Sequence, residues 1–267
     1  MPRNKPQEGI LPTGKRAPRT RLRDYSHGIY GPPGIGKTTW ANDWQGAVFA
    51  ATEPGTAALH AAEREIRSWE DFIVFLDAVE NEAHSYDTVV IDTVDLLHHF
   101  CRASVCRQLG IGHPSEAAYA KGWDLMKDRW VGGINRAARL TRADGERVCT
   151  LFVAHEKTTP LTESREGKVI DTGRSLVTTN LSTGARGVLH SALDFLYHAE
   201  FATEDNAEQG ICTGDRIIRT QPAELPHARI EAKGRGSLEQ RLPDLLPLNF
   251  GALARSFHTT FNGGNER

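Results

Sequence analysis

The stretch His27–Asp43, HGIYGPPGIGKTTWAND, places two adjacent prolines among four glycines directly behind the apolar pair Ile29–Tyr30, then turns into a polar, helix-compatible run. Proline fixes φ and glycine frees it, so a loop holding both is stiff at its entrance and can turn where a side chain would clash. An ordinary surface turn has that composition too, but not the flanks seen here. Gly31-Pro32-Pro33-Gly34-Ile35-Gly36-Lys37-Thr38 fits G-x-x-x-x-G-K-[ST] and lies between a strand candidate at Gly28–Tyr30 and a helix starting near Lys37. In such a loop the backbone N–H groups converge on an anion, and the helix start adds partial positive charge. Lys37 is then expected to reach the β- and γ-phosphates of ATP, and Thr38 to offer its hydroxyl to Mg²⁺. The expected nucleotide-binding residues are Gly31, Pro32, Pro33, Gly34, Ile35, Gly36, Lys37, Thr38 and Thr39.

Working outward, short apolar runs alternate with helical segments: Ala47–Ala51 (AVFAA), Thr88–Ile91 (TVVI) and Val148–Ala154 (VCTLFVA). Continuous apolar runs of this length, separated by helices, predict strands of a mostly parallel sheet covered on both faces, an α/β architecture. The helix before TVVI starts at Ser68, with Asp71 three residues on, and carries the stripe Phe72, Ile73, Phe75, Leu76 and Val79. A second helix is expected over Ser115–Leu140, with Trp123, Met126, Trp130, Ile134 and Ala137 facing the core.

A parallel sheet brings the carboxyl ends of its strands to one edge, where ligands bind. Asp92, at the end of TVVI, is there expected to hold Mg²⁺, directly or through water. Thr93 stands where many AAA-type motors have a glutamate, so the water-activating carboxylate is sought elsewhere. Glu53, behind AVFAA, emerges at the same edge and is the expected base; Asp95 is a weaker candidate. His155, behind LFVA, is the expected sensor of the γ-phosphate.

The stretch His155–Asn180 is polar and alternates about Glu166–Gly167, which predicts a protruding hairpin or loop. A helix over Leu181–Ser191, strands at Ala192–Ala199 and Arg216–Thr220, and a docking loop with a final helix complete the pattern. The chain has 267 residues, a net charge of −2 and no apolar run approaching the roughly 18 residues of a membrane span. Its four scattered cysteines predict reduced thiols and a cytoplasmic protein. From Arg3 to Arg23 the chain carries Arg3, Lys5, Lys15, Arg16, Arg19, Arg21 and Arg23 against Glu8 alone, which predicts a basic, flexible arm over residues 1–24. That arm would serve nucleic-acid phosphates or only solubility. One ordered domain over 25–260 and a frayed tail over 261–267 make up the rest.

The order of these pieces resembles a known family. The phosphate loop, TEPG after the second strand, VVIDT after the third and AHEK after the fourth look like the RecA-like fold. In particular they resemble the compact phage and prophage AAA-domain ATP-binding proteins, which include phage RecA-like single-strand-annealing recombinases. ARGVLHSALDFLYHAEF and RIIRTQP continue the resemblance more loosely. By that resemblance Lys37 and Thr38 match the Walker A pair, Asp92 the Walker B aspartate and Glu53 the catalytic glutamate. His155 falls where RecA has a glutamine sensor, and Arg219 near a basic finger offered to a neighbouring subunit's ATP. The resemblance implies homo-oligomers with ATP at subunit interfaces. It also implies single-stranded DNA bound by the loops at Gly110–Lys121 and Lys157–Arg174. Three functions stay open: an ATPase of phage-type recombination, repair or replication; a nucleotide-gated annealing module with little turnover; and an ATP-dependent regulator or loader of a protein partner.

Overall fold

The apolar runs belong to strands whose neighbouring side chains serve two different buried layers. In the computed structural model β1 is Ser26–Gly31, β2 Ala47–Ala51, β4 Thr88–Asp92 and β5 Cys149–Arg165. Tyr30, Val48, Ala50, Val89, Ile91, Phe152 and Ala154 point into one layer, while Ile29, Phe49, Val90, Leu151 and Val153 point into the other. With both faces buried, successive positions favour apolar residues, which is why the runs are nearly continuous. The first layer is closed by α2 (Trp69–Asn81), α3 (Val94–Leu109), α4 (Lys121–Ala137) and α5 (Thr183–Ala192). The second is closed by α1 (Lys37–Asn42) and α6 (Phe250–Asn262), with Trp40, Trp44, Leu253 and Phe257 buried in it. The structure describes residues 14–15, 19–165, 168–204, 206, 211–234 and 241–262. Most of the expected arm, the Glu166–Gly167 turn and the end of the tail lie outside the described residues.

The remaining strands are β3 (Ala62–Glu65), β6 (Lys168–Thr179), β7 (Phe195–Phe201), β8 (Arg216–Arg219), β9 (Ala223–Glu224), β10 (Ala228–Ile230) and β11 (Leu245–Pro247). The main sheet runs β11-β8-β7-β1-β5-β4-β2-β3. From β7 to β3 all neighbours are parallel, and β8 and β11 close the far side antiparallel. β5 lies between β1 and β4, so the phosphate loop and Asp92 leave the sheet from strands two positions apart. The architecture is the expected mixed α/β one with a mostly parallel central sheet.

Several boundaries differ from the sequence expectation. The fourth strand does not stop at Ala154: β5 runs on to Arg165 and pairs antiparallel with β6, so the hairpin is a direct extension of the sheet. The helix expected over Ser115–Leu140 begins only at Lys121. Pro114 opens a short 3-10 turn, and Tyr119 and Ala120 both sit at positive φ, which no α-helix accommodates. Met126, Trp130, Ile134 and Ala137 are buried as expected, but Trp123, in the first turn, is 45 % exposed and packs edge-on against His113. The helix behind the phosphate loop ends at Asn42, leaving Trp44 just beyond it. β7 starts at Phe195 rather than Ala192, because α5 holds Ala192 and Asp194 turns to accept the Ser26 N–H at 2.9 Å. Of the expected arm, Arg21 pairs with Asp24 at 2.8 Å and Arg23 with Asp87 at 3.3 Å, so its end lies on the domain. Ser68 caps α2 by accepting the Asp71 N–H at 3.0 Å. Among the described residues no helix is long and apolar enough to cross a membrane.

Candidate nucleotide-binding site

The carboxyl ends of β1, β2 and β4, with β5 at His155, enclose a cleft of about 350 Å³ lined by Pro33, Gly34, Gly36, Lys37, Thr38, Thr39, Glu53, Gly55, Asp92, Thr93, His155 and Arg216. The loop between β1 and α1 takes its shape from its glycines: Gly34 has φ 75 and Gly36 has φ 105, both in the left-handed region. Ile35, between them, is fully buried and anchors the loop in the second core layer rather than facing the cleft. Gly31 and Pro32 contribute their carbonyls, which accept from Lys37 Nζ at 2.8 and 2.9 Å. Lys37 is only 7 % exposed and its pKa is lowered, chiefly by burial, which the nearby Asp92, Asp95, Glu156 and Glu53 carboxylates oppose. A cation held against carbonyls in a polar cleft can exchange those contacts for phosphate oxygens. With only six residues, α1 has a small dipole, so the positive charge of the cleft rests on side chains and loop amides more than on a helix end.

Thr38 Oγ1 donates to Asp92 Oδ2 at 2.7 Å, bringing the two expected metal ligands together. Asp92 is 2 % exposed, and burial raises its pKa against the Thr38 hydrogen bond that lowers it. A buried carboxylate with one hydroxyl donor, beside a second hydroxyl-bearing residue at Thr39, suits a hard divalent cation with oxygen ligands. Thr38 and Asp92 are the residues that would hold Mg²⁺. Gly55, from TEPG, keeps this corner open: a methyl group there would lie 3.4 Å from Thr38 Oγ1 and 3.6 Å from Asp92 Oδ2. The strand ends are clasped by Thr52, whose N–H donates to Asp92 O at 2.7 Å and whose hydroxyl donates to Thr93 O at 3.0 Å. The Asp92–Thr93 peptide is cis.

Glu53 and His155 face each other across the mouth, Oε1 to Nε2 at 3.8 Å, each about one-third exposed. Asp95 has a different place from the base considered in the sequence. It is 7 % exposed in the first turn of α3, and its Oδ2 accepts the His155 N–H at 2.8 Å and lies 3.3 Å from His155 Nδ1. That contact raises the His155 pKa above its ordinary value, with burial opposing and the Asp95 and Glu53 charges assisting. Lys37, Thr38, Asp92, Glu53 and His155 therefore converge at one sheet edge. Arg219 does not join them. It ion-pairs with Glu200 at 2.6 Å and lines a separate cleft of about 390 Å³ with Glu156 and His198. Gly55 and Arg216 line the nucleotide cleft without having been given a role in the sequence, and so does Thr93, which was noted there only as the residue in place of a glutamate. Of these only TEPG carried a signal, since nothing in RIIRT distinguishes which arginine faces the loop.

No curated protein sequence matches the chain. Among solved structures, a KaiC-like protein from the hyperthermophilic archaeon Pyrococcus horikoshii OT3 is similar at 13 % identity and a TM-score of 0.39, over 78 % of this chain and 84 % of that one. The model of a protein family described as AAA domain matches residues 23–235, a span that contains the phosphate loop, Glu53, Asp92, His155 and both arginines of β8. The chain belongs to that AAA domain family.

Proposed function

We propose that the chain binds ATP with Mg²⁺ and hydrolyses it, and that its client is single-stranded DNA in phage-type recombination, repair or replication. The convergence of Lys37, the Thr38–Asp92 pair and the Glu53–His155 pair in one cleft carries the hydrolytic part. Lys37 and the loop amides bind the triphosphate and orient it. Glu53 orients the attacking water and takes its proton. His155, fixed by Asp95, stands within charge range of Glu53 and registers the terminal phosphate. Mg²⁺, when bound, supplies neutralisation of charge on the phosphate oxygens.

The client part is supported by the hairpin. The strand that carries His155 continues into it, with a register shift between Leu161 and Thr162, so one element links the nucleotide site to the hairpin. Beyond it Val169 and Ile170 are 76 % and 44 % exposed, beside Lys168. Apolar side chains next to a cation suit the bases and phosphates of a single strand. We read the working form as a homo-oligomer with ATP near its subunit boundaries, able to engage a replication or recombination protein.

Steady-state ATPase with and without single-stranded DNA tests both parts. Turnover should require Mg²⁺, fall by about 10²-fold or more in Lys37→Ala and Glu53→Gln, and rise on adding DNA. Tight ATP binding without turnover would reduce the protein to a nucleotide-gated module. Absence of DNA binding even at low salt, where phosphate contacts are strongest, would remove the DNA client.

A further inference from the structure

The cleft contains a second cation whose place was not legible in the sequence. β8 begins at Arg216 and ends at Arg219. Side chains alternate along a strand, so residues three apart face opposite sides. Arg219 turns to Glu200 and is 12 % exposed. Arg216 turns to the phosphate loop and lines the cleft with Gly34, Gly36 and Lys37. Its guanidinium lies over Gly36: a methyl group on that glycine would meet Nη1 at 3.2 Å. Gly36 is thus constrained twice, by its φ of 105 and by the arginine above it.

We infer that Arg216 is a catalytic residue of the chain's own nucleotide site, donating to the phosphate oxygens of the ATP held there in cis. The inference rests on the nucleotide reading above and adds to it which arginine serves the site and from which subunit. The anchor is rigid, as β8 is paired on both sides. Arg216 sits opposite Phe201 of β7, and its carbonyl accepts the Leu248 N–H at 2.8 Å. The head is exposed, and among the described residues no hydrogen bond or ion pair engages it. Magnesium-bound ATP is a dianion, and Lys37 and Arg216 are the two permanent cations lining the cleft. Lys37 is buried beneath the loop and Arg216 stands over it, so together they can clamp the triphosphate from two sides. A planar fork on a fixed strand is suited to charge that develops on phosphoryl oxygens during transfer.

The test uses the full chain. Arg216→Ala, whose truncated side chain is exposed, should keep the wild-type melting temperature, weaken binding of a fluorescent ATP analogue about 10-fold and lower kcat by about 10³-fold. Arg216→Lys should restore more of the affinity than of kcat, because a point charge replaces the fork. Equal mixtures of Arg216→Ala and Lys37→Ala separate cis from trans. A cis residue predicts no activity beyond the sum of the two proteins, whereas recovery on mixing overturns the assignment. Wild-type kcat in Arg216→Ala also overturns it while leaving the nucleotide reading intact. If the wild-type protein itself binds no ATP, that reading falls and this one with it.

Discussion

At the scale of residues, the site is a set of charges held where water would ordinarily be preferred. His155 is raised in pKa by the Asp95 hydrogen bond against its own burial, so its charged form persists above the ordinary histidine range, 3.8 Å from Glu53. A protonated imidazole there holds the Glu53 carboxylate in an ion pair and away from the attacking water. ATPase should therefore show a limb that rises with pH, with a midpoint above the ordinary 6.5. Asp95→Asn should move the midpoint down, and His155→Gln should abolish the limb; a pH–kcat profile of the three proteins checks this, and an unchanged limb in His155→Gln refutes it. Asp92 makes the complementary case. Its pKa is raised by burial, so in the ligand-free protein its ionised form opposes folding, increasingly as pH rises through the raised value. Asp92→Asn should stabilise the ligand-free protein at neutral pH by about 1 kcal/mol while abolishing Mg²⁺-dependent turnover, measured by thermal melting beside ATPase.

At the scale of elements, packing decides what local propensity cannot. α4 carries two adjacent glycines, and alanine is the better helix former at either by about 1 kcal/mol. Around Gly132 no atom lies within 4 Å of an added methyl, so Gly132→Ala should stabilise by about 0.5–1 kcal/mol. At Gly133 the methyl would meet the ring of Trp69 at 2.5 Å, and Trp69 is itself 5 % exposed between Phe72 and Trp130. Gly133→Ala should instead destabilise by about 1–3 kcal/mol. Denaturant unfolding of the pair checks the opposite signs. β5 shows the same principle in its length. Its first residues are buried between β1 and β4, and past Ala154 it continues because β6 supplies a partner for its backbone, although its side chains turn polar. The sequence carried the change of composition at His155, but a change of composition does not reveal whether a strand ends or only leaves the core.

For the whole molecule, the two buried layers make folding sensitive to acid. His27 is fully buried at the start of β1 between Leu22 O, to which its Nε2–H donates at 2.9 Å, and the Tyr197 hydroxyl, 3.0 Å from Nδ1. Burial lowers its pKa to about 4 from an ordinary 6.5. The unfolded chain takes up a proton first, so the stability this histidine confers is full above 6.5 and is lost as pH falls toward 4, about 3 kcal/mol at the limit. His98 is shifted in the same direction, also to about 4 and chiefly by burial. His198 has the opposite sign. Burial alone would lower it, but Glu156 and Glu200 outweigh that, so its contribution is present at low pH and fades as pH rises through its raised value. Urea unfolding at a series of pH values should show stability falling from 6.5 toward 4, with a shallower fall in His27→Gln; a flat profile over that interval would contradict the burial argument.

Local pattern was enough to read the phosphate loop, the strands that lead to Glu53, Asp92 and His155, and the edge at which they meet. These follow from local patterns: a glycine-bearing loop before a helix, continuous apolar runs, and the rule that parallel strands share a carboxyl edge. It also marked the cap at Ser68, since capping is settled within one turn. The tertiary structure was needed to show that Asp95 accepts the His155 N–H and that Arg216 lines the nucleotide cleft. Both depend on partners distant in the chain. The role of Asp95 is set by where β5 ends its buried course, and that of Arg216 by which face of β8 is turned to the phosphate loop. Sequence periodicity tells which residues share a face; it does not tell what that face meets.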